Sequence, residues 1–148
     1  MAETLGMLCD KLTIVKLKQF HSDDPERSKS LDEQVHQLKE EIDAYIADAI
    51  LSKIPLEKLT FASNKVFKKE GNEAPPVENT IAAAFAQLAD VNCRLWHEVE
   101  KGYDIENVPA GEKDKLIRTL AVLNLERNNC IDAIDLYFKE IVTKKNSK

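Results

Sequence analysis

Glycine and proline are scarce in this chain, with four of one and five of the other among 148 residues. A turn-rich β architecture needs many of both, so long stretches without either favour helices. Cysteine is scarce as well: Cys9, Cys93 and Cys130 are odd in number, far apart and without metal-ligand spacing. That disfavours a disulfide framework and makes a reducing cytoplasm the expected compartment, with each thiol serving as a small apolar side chain. No apolar run approaches membrane-spanning length, and the first residues show no charged-then-apolar secretion signal. Positive charge is in deficit, with a net charge of -5 and a pI near 5.3. Duplex nucleic acid is therefore not an expected partner, because phosphate binding needs a cationic face.

What is present is an ordinary globular balance, 43% hydrophobic and 32% charged residues, enough for one domain over 1–148 with a real core. Apolar residues recur at helical spacing over about 4–20, 25–54, 78–101 and 112–143. With mostly short connections, these stretches predict an all-α fold, an antiparallel four-helix bundle. The first stretch carries two apolar stripes, so it is either deep in the bundle or shared with a partner chain. A homodimer is expected on that ground. Asp24 followed by Pro25 suits the cap and first position of the second helix, and Ser30-x-x-Glu33 offers a capping box for a later start. Residues 55 to 76 break the pattern: Leu56, Leu59, Phe61, Val66 and Phe67 suit a short docked segment, and KKEGNEAPP reads as a polar connection.

The fourth stretch poses the main question. Its seam runs Ile117, Leu120, Asn124, Arg127, Ile131, Ile134, Phe138, Ile141, with two polar residues in the middle. Asp10 interrupts the first helix and Asn92 the third, also near their midpoints. An antiparallel bundle brings these positions to one level. Arg127 keeps its charge, so its burial requires an anion; Asp10 is the first candidate and Glu98 the second. One reading is a structural network that fixes helix register. The other is a ligand pocket, in which Arg127 holds a phosphate or carboxylate, Asn92 and Asn124 orient it, and Trp96 stacks on a ring.

Other constellations carry less. Glu33-x-x-His36 matches half of the di-iron bundle pattern, but no second copy exists, so a surface pair is expected. His97-Glu98 has the wrong spacing for two ligands on one helical face. His21 and the Asp23-Asp24 pair lie at a helix junction, where capping accounts for the acids. Asp132 and Asp135 are expected to face solvent. Glu40, Glu41 and Asp43 lack the spacing that all-α pyrophosphohydrolases use for magnesium, and no Gly-rich phosphate loop or nucleophile triad stands out. No metal site or cofactor is implied.

Three segments carry a resemblance: LGMLCDKLTIVKLKQF, NCRLWHEVE and LNLERNNCIDAID. They resemble the bacterial family called domain of unknown function 4254. The ordered set Gly-x-Leu-x-Asp-Lys-Leu-x-Ile, Asn-x-x-Leu-Trp-x-x-Glu and Asn-x-x-Arg is also similar to the domain of unknown function 6165 family. The matching positions are Asp10, Lys11, Asn92, Trp96, Asn124 and Arg127, while Val99 or Glu100 stands where the second motif has its glutamate. The resemblance implies an all-helical bacterial protein of unassigned activity and tilts a ligand toward sugars or nucleotide sugars. It supplies no catalytic residue. The expectation is thus a non-catalytic interaction or scaffold domain with a buried polar centre. The alternative is a small anionic-ligand site, enzymatic or not, built from those six residues.

Overall fold

The computed structural model describes residues 3–61 and 73–147. Within them α1 spans Leu5–His21, α2 Pro25–Ile50, α3 Ile81–Tyr103 and α4 Lys113–Asn146, with 3-10 turns at Leu56–Lys58, Ile105–Asn107 and Ala110–Glu112 and no strand. The chain is an all-α bundle, as its periodicity predicts.

Three of the four helices start on a side-chain cap. Thr4 Oγ1 accepts the Met7 N–H at 3.3 Å, Asp24 Oδ1 accepts the Glu26 N–H at 3.1 Å ahead of Pro25, and Thr80 Oγ1 accepts the Ala83 N–H at 3.1 Å. Each bond satisfies a donor that the first helical turn leaves without a partner. The boundaries shift where local bonds compete. α2 stops at Ile50 rather than 54 because the chain reverses through Ser52, at φ 59°, while the Lys53 N–H donates to the Asp48 carbonyl at 2.8 Å. α3 begins at Ile81 rather than 78 because the Glu78 N–H is held by Gln87 Oε1 at 3.0 Å.

α1 occupies the middle, packing against α2, α3 and α4; it runs antiparallel to α4, with Gly6 by Asp135 and Asp10 by Arg127, and parallel to α3, with Asp10 by Asn92 and His21 by Trp96. The α3–α4 pair has the most extensive interface, whereas α2 leans on α1 and barely meets α4. One stripe of α1 is largely covered within the chain, with Leu5, Leu8 and Val15 buried and Leu12 half-buried, while the apolar members of the other, Met7, Ile14 and Leu17, are half-buried. The main core joins Leu5, Leu8 and Cys9 to Tyr45 and Ala49 of α2, Ala84 and Leu88 of α3, and Cys130, Ile134 and Phe138 of α4, while Val15 packs with Leu31 and Val35 of α2 in a smaller cluster. Leu59 docks into that core, 1% exposed, and Leu56 packs against it, whereas Phe61 is 38% exposed. Val66 and Phe67 lie outside the described residues.

The seam of α4 differs from the predicted one at its ends. Ile117 and Ile141 are 62% and 51% exposed, while Leu116, Leu123, Cys130 and Val142 are buried. A stripe drawn in alternating steps of three and four winds away from a straight helix by about 20° per heptad, so its ends turn outward. α4 in fact serves two neighbours, with one line of side chains toward α3 and another toward α1.

Gly6 sets the distance between α1 and α4. A Cβ there would lie 2.4 Å from the Ile131 carbonyl oxygen and 2.9 Å from Asp135 Oδ1. Gly102, in the last turn of α3, has nothing within 4 Å of the same position. Two identical substitutions should therefore act with opposite sign. Gly6→Ala should lower the unfolding free energy by about 3 kcal/mol, since backbone must move. Gly102→Ala should raise it by up to about 1 kcal/mol through helix propensity. Urea denaturation measures both, and equal effects would contradict the close-approach argument.

Candidate functional site

Asp10 stands midway along α1 and is 5% exposed. Arg127 reaches it from α4 as a two-pronged fork, Nε donating to Oδ1 at 2.8 Å and Nη2 to Oδ2 at 2.5 Å. From α3, Asn92 Nδ2 donates to Asp10 Oδ1 at 2.9 Å and to Thr13 Oγ1 at 2.7 Å. The Thr13 hydroxyl in turn donates to the Asp10 backbone carbonyl at 2.8 Å. Four side chains from three helices thus close one circuit. Both carboxylate oxygens are occupied, and the charge is neutralised in place.

The electrostatics follow from the geometry. The hydrogen bonds that Arg127 donates to Asp10 raise its pKa above the ordinary value, burial opposes them, and the Coulombic attraction of Asp10 adds to the rise. The pair is not sealed: the Arg127 side chain is 30% exposed against 8% for Asp10. Desolvation offsets much of the attraction, so the intact pair adds little net stability. Removing one partner strands the other and costs about 3 to 5 kcal/mol.

Of the six residues proposed from sequence, Asp10, Asn92 and Arg127 meet. Asn124 does not: it is exposed and bonds to none of them. The backbones of α1 and α4 touch at Gly6, and at Asp10 the long arginine side chain makes the link. One turn beyond Arg127, Asn124 faces solvent. Lys11 points away from the centre and pairs with Glu3 at the surface. Trp96 lies outside the circuit, and one ring face is covered by His21, stacked at 4.7 Å and 17°. That face is not open to a sugar or base. The Trp96 indole nitrogen is buried without an acceptor. Glu98, the second candidate counter-ion, pairs with Lys101 at 3.1 Å.

Two buried acids escape the sequence reading. Glu126, 2% exposed, accepts from Gln87 Nε2 at 3.1 Å and Arg94 Nη2 at 3.3 Å on the α3 side. Asp135, expected in solvent, is 3% exposed and faces the start of α1. Its place one turn past Ile131 on the α1 side was the available signal; Asp132 is exposed, as expected. The thiols match inert, buried groups: burial, then Asp135 and Asp10, push Cys9 up to about 12, and burial and Glu126 push Cys130 up to about 11 against the pull of Arg94. Cys93 is half-buried and free.

No protein-family description, curated protein or solved structure matches this chain.

Asn92 and Asn124 look equivalent in the sequence and separate here. Asn92→Ala removes a donor to Asp10 and leaves a buried gap, so urea denaturation should show a loss of about 2 kcal/mol. Asn124→Ala, on the surface, should stay within about 0.5 kcal/mol of the wild type. Comparable losses would mean that the circuit is wrongly drawn.

Proposed function

We propose that this chain is a non-catalytic helical interaction domain in which the Asp10–Arg127–Asn92 circuit sets the register of three helices. The observation that carries this reading is that both oxygens of Asp10 are engaged, Oδ1 by Arg127 and Asn92 and Oδ2 by Arg127, in a residue only 5% exposed, so the one acceptor site left on Oδ2 is buried with it. A general base needs an accessible oxygen within reach of the proton it takes, and a buried, neutralised carboxylate is poorly suited to that work. Catalysis by this cluster finds no other support among the side chains around it.

An interaction domain needs a surface. The C-terminus of α1, the C-terminus of α3 and the N-terminus of α4 share one end of the bundle. Phe20, Tyr103 and Ile117 there are 84%, 88% and 62% exposed. Exposed apolar groups favour association, and a second copy of the chain is the partner we propose. A reducing, cytoplasmic setting fits the free Cys9, Cys93 and Cys130, and no described helix is long and apolar enough to cross a membrane. Kinship with the domain of unknown function 4254 family belongs to the same proposal. It is supported by the meeting of Asp10, Asn92 and Arg127 from three separate motif segments.

One observation favours the alternative, a small anionic ligand such as a nucleotide sugar or sugar phosphate. The Arg127 side chain keeps 30% of its surface exposed, and its Nη1 takes no part in the fork. A thermal-shift panel of nucleotides, nucleotide sugars and sugar phosphates separates the two. The interaction reading predicts no stabilisation at millimolar concentration. A rise of several degrees that Arg127→Gln abolishes would overturn it in favour of the ligand site. Light scattering over a concentration series tests the partner: a dimeric mass is expected, and a monomeric mass throughout would remove the self-association claim.

A further inference from the structure

Ahead of α3 the chain runs as a strap, Pro75-Pro76-Val77-Glu78, tied to both α3 and α4. Pro75, Pro76 and Glu78 are exposed, while Val77 is half-buried and packs against the main core. The polar ties all go to the strap's backbone. Gln87 Nε2 donates to the Pro76 carbonyl at 3.2 Å, and Gln87 Oε1 accepts the Glu78 N–H at 3.0 Å. From α4 the Tyr137 hydroxyl donates to the Glu78 carbonyl at 3.1 Å.

Glu126 holds Gln87 in the orientation this needs. Gln87 Nε2 also donates to Glu126 Oε1 at 3.1 Å, and Arg94 holds the same buried carboxylate at 3.3 Å. A carboxylate only accepts, so the amide nitrogen must face it. Turned over, the amide would set oxygen against oxygen at both Glu126 and Pro76. One side chain therefore offers a donor and an acceptor, in fixed places, to main-chain groups two residues apart. Main-chain bonds of this kind give affinity for an extended segment whichever chain supplies it, and a seat for one side chain adds selectivity. The prolines suit the segment to this use. Their φ is preset, so less order is lost on seating, and Pro76 has no N–H to leave unpaired.

We propose that Gln87, Tyr137 and the apolar seat of Val77 form a docking site for an extended segment of another protein chain, two prolines followed by an aliphatic residue, which the strap fills in cis. The strap's hold is light: three bonds at the surface and one half-buried valine. Segments with so few buried contacts open without unpacking the core. Asn79 and Thr80, both exposed, bend between strap and helix and provide the pivot. The site lies toward the start of α3, at the other end of the bundle from Phe20, Tyr103 and Ile117. It is therefore independent of the self-association proposed above.

The probe is a synthetic peptide of residues 73–80, EAPPVENT, titrated into the full chain and followed by NMR shifts of α3 and α4 amides. Val77→Ser in the chain removes the anchor of its own strap and frees the seat. The peptide should then bind saturably and about tenfold more tightly than to the wild type, whose strap competes at an effective concentration in the millimolar range. Adding Gln87→Ala should abolish that binding. No saturable binding to the Val77→Ser chain at millimolar peptide, or binding that survives Gln87→Ala, would overturn the proposal. Should these variants not fold, the wild type decides by hydrogen exchange. Excess peptide should displace the strap and speed exchange of the chain's own Glu78 amide severalfold, and an unchanged rate would remove the site.

Discussion

The arrangement depends on one carboxylate in the middle of one helix. Asp10 is a charge that water has largely left, and its burial is tolerable only because the Arg127 fork and the Asn92 amide meet it at bonding distance. That requirement is directional in a way that apolar packing is not. A leucine can slide a fraction of a turn along its neighbour and lose little, whereas a bidentate pair is lost by a shift of an ångström or two. Three helices are indexed to one point, and the apolar core is arranged around it.

α1 is the element on which this bears most. It touches each of the other three helices, while α2 rests mainly on α1. Its residues divide the work: Gly6 fixes how near α4 comes, Asp10 fixes the angular register, and Leu5, Leu8 and Val15 fill the space between. The same division places Asp135 in apolar surroundings without a counter-charge, a few residues from a carboxylate that has one. Both aspartates are buried to a similar degree. What distinguishes them is the side chain opposite: Asp10 faces an arginine, and Asp135 faces the Gly6 N–H and the Thr4 hydroxyl.

Much of this was legible from periodicity. The helices, the Asp24–Pro25 start and the convergence of Asp10, Asn92 and Arg127 follow from which positions repeat at helical spacing and which polar residues interrupt them. The misses have a common cause. A seam drawn as one stripe treats a helix as having one neighbour, but α4 has two, so Glu126 toward α3 and Asp135 toward α1 fall on either side of the drawn line. Asn124 lies on the line yet outside the contact, because spacing carries no information about how far two axes have parted at that level. Lys11 follows Asp10 in the motif, but adjacent residues on a helix point about 100° apart. The stacking of His21 on Trp96 required knowing where α1 ends beside α3, which sequence spacing does not give.

The central claim is that Asp10 and Arg127 act as one unit. A double-mutant cycle with Asp10→Ala, Arg127→Ala and the pair, each unfolded in urea, measures this directly. The account predicts two costly single variants and a double variant little worse than either, with a coupling energy above about 1 kcal/mol. Losses that add to within about 0.5 kcal/mol would contradict it, and the register of the bundle would then have to come from its apolar packing alone.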